Sequence, residues 1–131
     1  MPTELAAPKR TRHPVLLACE DAGEFQKLWD HYVATYHPRG FTQNLFVEDM
    51  AATEWRLRRA RKIEASLWDA AMPMRTMTLD EAMRLLKEND RALGAISSYQ
   101  TGLERSLKHI RKALLDAQKD RASAANAQRL N

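Results

Sequence analysis

Residues 21–40 read DAGEFQKLWDHYVATYHPRG. Phe25, Leu28, Trp29, Tyr32, Val33 and Tyr36 recur there at steps of one, three and four. That spacing sets them on one face of an α-helix, whereas an alternating strand would send Phe25 and Leu28 to opposite faces. Each such side chain contributes about 1.5–3 kcal/mol when fully buried, so the stripe demands a partner surface. Asp21 with Glu24 three residues on has the form of a capping box, with Asp in place of Ser or Thr. His37-Pro38-Arg39-Gly40 ends the helix, because Pro bars continuation and Gly admits a left-handed turn.

Downstream, a second helix is expected from Thr42 to about Ala71. Its apolar stripe is Phe46, Met50, Leu57, Ala60, Ile63, Leu67 and Ala71, with Thr53 and Glu64 as interruptions. MPMRTM, residues 72–77, breaks the chain at Pro73. Its Met72, Met74 and Met77 form an apolar patch suited to filling a core gap or to binding a partner. Thr78-Leu79-Asp80-Glu81 is a closer match to a capping box, and the helix it opens runs to about Glu88. The chain then pauses at Asn89-Asp90 or continues unbroken. From there Leu93, Ile96, Tyr99 with Gln100, Leu103, Leu107, Ile110, Leu114 and Ala117 keep near-heptad spacing. A helix over residues 91–118 is about 40 Å long. Two long helices joined by a break lie antiparallel.

Upstream, residues 1–20 hold Pro2, Pro8 and Pro14 and the cluster Lys9, Arg10, Arg12 and His13. They read as a basic arm. Either its VLLA packs as a short extended segment or the arm is a mobile tail. The expected fold is therefore all-α: one amphipathic helix packed on an antiparallel pair of long helices, with a basic N-terminal arm. The division is arm 1–20, helical domain 21–121 and frayed tail 122–131.

Composition agrees. The 131 residues are 44% hydrophobic and 29% charged with only four glycines, which suits one charge-rich helical domain. Cys19 is the sole cysteine, so no intrachain disulfide forms, and a reducing, cytoplasmic setting is expected. The longest apolar run, residues 15–19, is far short of a membrane span, and residues 1–14 hold no signal-type apolar stretch. No membrane partner is expected.

Catalytic and metal chemistry finds little footing. His13, His31, His37 and His109 form no Glu-x-x-His or His-Glu-x-x-His pattern, and no cysteine pair exists for zinc. Cys19 sits beside Glu20 and Asp21, which disfavour a thiolate. The acid pairs Glu20/Asp21, Glu48/Asp49 and Asp80/Glu81 are sequence neighbours and do not face each other on a helix. No glycine cluster cradles phosphate. No catalytic residue, cofactor, metal or small-molecule substrate is expected.

EWRLRRARKIEA, residues 54–65, is the most informative stretch for binding. Arg56, Arg58, Arg59, Arg61 and Lys62 fall within seven positions, and the net charge is +4. On a helical wheel Arg58, Arg61 and Lys62 lie away from the apolar stripe, while Arg56 and Arg59 lie at its boundary. Trp55 projects off the stripe and either finds a second neighbour, helix 1 or the arm, or is exposed. Three readings stay open. The first is a structural ion-pair network of Arg56 and Arg59 with Glu64 and Glu104, or with Glu54. The second is a solvated face. The third is a surface for nucleic-acid phosphates built from Lys9, Arg10, Arg12, Arg58, Arg61, Lys62, Arg105, Lys108, Lys112 and Lys119.

Trp55, Arg56, Leu57, Arg59 and Glu64, with Tyr99, Leu103 and Arg105, form a pattern over roughly residues 20–118. It resembles a group of small bacterial helical proteins with a Trp-Arg-Leu-x-Arg helix and a Tyr-x-x-x-Leu-x-Arg closing helix. The resemblance implies a helical fold and no reaction. The expected function is a non-enzymatic helical interaction or assembly module that self-associates or binds a partner protein. The alternative is a nucleic-acid-associated accessory protein using the basic helix faces and the arm.

Overall fold

A computed structural model describes residues 12–71, 78–88 and 90–130. Four helices follow in order: α1 (Ala22–Tyr36), α2 (Gly40–Ala71), α3 (Leu79–Glu88) and α4 (Asp90–Arg129). No strand occurs among the described residues, and the fold is all-α, with α1 and α4 both packed on α2. Lys9, Arg10, Met72, Met74, Met77 and the Asn89 pause lie outside the described residues.

Asp21 caps α1, its Oδ1 accepting from the Gly23 N–H at 2.7 Å and the Glu24 N–H at 3.4 Å. The reciprocal half of the box is not made, since Glu24 pairs instead with Lys27 at 3.2 Å. At the other end His37 takes the left-handed conformation (φ 46°, ψ 59°) and its N–H donates to the Val33 carbonyl at 2.9 Å. Gly40 is also left-handed at φ 77°, but it opens α2 rather than ending α1. A side chain there would be strained by the positive φ and would displace the tip of Arg121, 2.9 Å away, so the position favours glycine. Thr78 caps α3 through its Oγ1, 3.2 Å from the Glu81 nitrogen.

The long pair meets along a heptad seam. On α2 it runs through Met50, Thr53, Leu57, Ala60, Glu64 and Leu67, each buried or half-buried. On α4 it runs through Leu93, Ile96, Gln100, Leu103, Leu107, Ile110, Leu114 and Ala117. Gln100 donates to Glu64 Oε2 at 2.9 Å, and Gln118 donates to the Tyr36 carbonyl at 2.7 Å, which fixes α4 antiparallel to α2. Thr53 and Glu64 thus belong to the stripe they were expected to interrupt. Ile63 and Tyr99, both expected inside, are each 45% exposed. The cause is phase: steps of three and four lead from Ala60 to Glu64 and from Ile96 to Gln100, and these two polar groups satisfy each other.

The core is lopsided. Phe25, Val47, Met50 and Leu114 are fully enclosed, and the cluster around them adds Leu28 and Tyr32 of α1 and Ala51, Ala52 and Trp55 of α2. Trp55 meets Phe25 edge-on at 5.5 Å, so α1 is its second neighbour. No member of the cluster lies beyond Trp55 on α2 or before Leu107 on α4. Length explains this: α1 is about 22 Å long and α2 about 48 Å, so the short helix covers only one end of the pair. Farther along, Leu67, Trp68, Leu93, Ile96 and Leu103 are only half-buried.

Residues 12–20 fold back onto the α1 end as two tight turns rather than an extended segment, with Leu16 N–H to His13 O and Glu20 N–H to Leu17 O both at 3.0 Å. Val15 is 4% exposed and joins the core. The His13 ring lies 4.9 Å from Phe25 and 5.6 Å from Trp29. Its Nδ1 accepts from the Val15 N–H at 3.1 Å, which leaves Nε2 to donate to Glu48 at 3.0 Å. At the far end α4 stays helical through Arg129, with residues 122–129 exposed.

Candidate interaction groove

The folded-back segment leaves a trench between itself and α2. One wall is residues 17–24 and the other is α2 from Trp55 to Leu67; the open trench between them has a volume of about 950 Å³. Leu17, Trp55, Ile63 and Leu67 supply its apolar surface, and Arg58, Arg61 and Lys62 stand along it as exposed cations.

Arg59 holds the two walls together. Its Nε and Nη2 donate to the two oxygens of Glu20 at 2.9 and 2.6 Å, and Nη2 also reaches the Val15 carbonyl. Both side chains are mostly enclosed, at 20% and 16% exposure. The planar guanidinium suits this paired geometry as no ammonium would. Arg59's hydrogen bonds hold the Glu20 carboxyl down at about 2, against the upward push of burial, and the Leu17 N–H at 2.8 Å helps. The same carboxylate raises the Arg59 pKa in return. The buried Trp55 Nε1–H lies toward Glu20 without reaching a hydrogen bond and has no other partner among the described residues.

Behind this wall Glu54 accepts from the Tyr32 hydroxyl at 2.6 Å and pairs with Arg58 at 2.9 Å. Burial, then the Glu54 carboxylate, pushes the Tyr32 phenol well up. Arg111 of α4 lies close enough to oppose that push, and its own Nε is buried without a partner among the described residues.

The basic residues expected to act together part company. Arg12 is internal glue, its Nη2 donating to the carbonyls of Leu17 at 3.2 Å and Glu20 at 2.6 Å. Arg58, Arg61 and Lys62 share the groove; among the described residues neither Arg61 nor Lys62 has a carboxylate partner. Arg105, Lys108, Lys112 and Lys119 are exposed on α4, but none of them lines the groove. The expected ion-pair network takes another form. Arg59 pairs with Glu20, not with Glu64 or Glu104. Glu64 bonds Gln100, Glu104 is exposed, and Arg56 is half-buried with no ion pair among the described residues.

Glu20 is the residue of the groove wall that sequence reasoning missed. The available signal was an enclosed arginine on the α1 side of α2, which requires an acid from whatever packs there. A second, smaller hollow of about 250 Å³ lies between the α1–α2 turn and α4, with Arg39 and Arg121 in its lining. No cluster of metal-ligating side chains occurs among the described residues, and no described helix is long and apolar enough to cross a membrane. No known protein family, curated protein or solved structure matches the chain.

Proposed function

We propose that the protein is a non-enzymatic helical interaction module that self-associates, covering apolar side chains its own helices leave open. The uneven burial carries the reading. One end of the α2–α4 pair is roofed by α1 and fully packed, whereas the other exposes Ile63, Leu79, Met83 and Tyr99. Large apolar side chains left exposed together at one end favour an interaction site, and a closed two-fold dimer is the commonest way to cover them. Sedimentation velocity of the intact chain over the micromolar range tests this. A species of twice the chain mass that dissociates on dilution is expected; a strict monomer throughout overturns it.

The second reading is a polyanion along α2, favoured by Arg61 and Lys62, which have no carboxylate partner among the described residues. Phosphate contacts there would make binding fall steeply with salt, and replacing Arg58, Arg61 and Lys62 would flatten that slope. Self-association takes precedence because the surface between these cations is apolar and the α4 cations do not join them.

A further inference from the structure

We propose that the groove receives α3 of a second copy of this chain, exchanged reciprocally in a two-fold dimer; this rests on the self-association reading and names its interface. α3 has the properties of an occupant. Of its described side chains only Ala82 is buried, while Leu79 is 69% and Met83 46% exposed. Among these described side chains the helix meets its own chain through a methyl group and turns Leu79 and Met83 outward. Its first turn carries Asp80 and Glu81.

The groove complements it in three respects. In length, the ten residues of α3 make a rod of about 15 Å, and α2 from Trp55 to Leu67 offers about 18 Å. In spacing, Leu79 and Met83 are four residues apart, and so are Ile63 and Leu67, so each pair repeats at about 6 Å along its helix. In charge, the acids on the groove's other wall are already engaged: Glu20 by Arg59, Asp21 by the α1 cap, Glu24 by Lys27. Arg61 and Lys62 are left without carboxylate partners among the described residues, and the field they set up favours the acidic first turn of α3, its Arg84 and Lys87 lying toward the other end. An apolar helix face laid in a groove with charged residues at its edge is a recurrent mode of recognition.

Sedimentation of four variants of the full chain tests the assignment, with helix content followed by circular dichroism. The double substitution Leu79→Asp/Met83→Asp alters exposed positions, so the fold should persist while the dimer is lost. Arg61→Glu/Lys62→Glu should weaken the dimer by about tenfold or more through like-charge contact with Asp80 and Glu81. Asp80→Lys/Glu81→Lys should weaken it similarly, and combining the two charge reversals should restore it. A wild-type monomer overturns this interface and self-association together. A wild-type dimer that survives Leu79→Asp/Met83→Asp, or charge reversals that fail to compensate, overturns the interface alone.

Discussion

Replacing Phe25 by alanine is expected to lower the unfolding free energy by about 3–5 kcal/mol, the usual cost of emptying a buried aromatic site. Phe25 is 2% exposed. Its ring lies 5.9 Å from Trp29, 5.5 Å from Trp55 and 4.9 Å from His13, so α1, α2 and the folded-back segment meet on it. Those neighbours are rings fixed by their own helices, and they cannot collapse fully into the space. Since a small domain holds only about 5–15 kcal/mol in all, the loss takes a large share. Urea unfolding followed by tryptophan fluorescence measures it. A cost under about 1 kcal/mol, the range of ordinary surface changes, would mean that this ring does not organise the core.

The second large effect belongs to Arg59. Arg59→Leu removes both bonds to Glu20 and the one to Val15, leaving a carboxylate enclosed without its counter-charge. A loss of about 1.5–3 kcal/mol is expected, as for hydrogen bonds to charged groups. It should also free residues 12–20 to limited proteolysis, because this arginine ties them to α2. The effect carries a pH signature. Glu20 ionises near 4.5 when unperturbed and at about 2 in the fold, so the unfolded chain takes up the proton first as pH falls. The stability due to this pair is therefore complete above pH 4.5 and drains away between about 4.5 and 2. Other carboxylates titrate in the same range, so the readout is the difference between wild type and variant. That gap should narrow steadily from pH 5 toward pH 2; a gap independent of pH would contradict the assignment.

How far the sequence could be read depended on the kind of signal. α1 was legible because its large aromatic residues all fall on one helical face, and no other regular structure gathers them. The projection of Trp55 off the stripe was legible for the same geometric reason. The seam was legible in outline and misread in phase at two places. Glu64 and Gln100 look like flaws to a hydrophobic pattern, yet each provides what the other lacks, and that pairing pushes Ile63 and Tyr99 outward. A polar pair of this kind costs little when satisfied and favours one register over its neighbours.

The site was harder to read. Arg59 stood out as a boundary arginine, but Glu20 lies 39 residues away in a stretch with no periodicity to place it. The groove exists only because two turns lay residues 17–24 beside α2, an arrangement fixed by Val15 in the core and His13 on Phe25. Neither turn carries a glycine signal. Charge patterning likewise suggested one continuous basic surface. The packed helices place Arg61 and Lys62 along the groove and leave the α4 lysines outside it.

Amide hydrogen exchange of the intact chain at rising protein concentration tests most directly whether a second copy completes the half that α1 leaves unroofed. Protection should rise with concentration over residues 60–71, 78–88 and 90–103, and stay constant over residues 47–55, which the chain encloses by itself. Exchange in the first three segments that does not change with concentration would contradict the account.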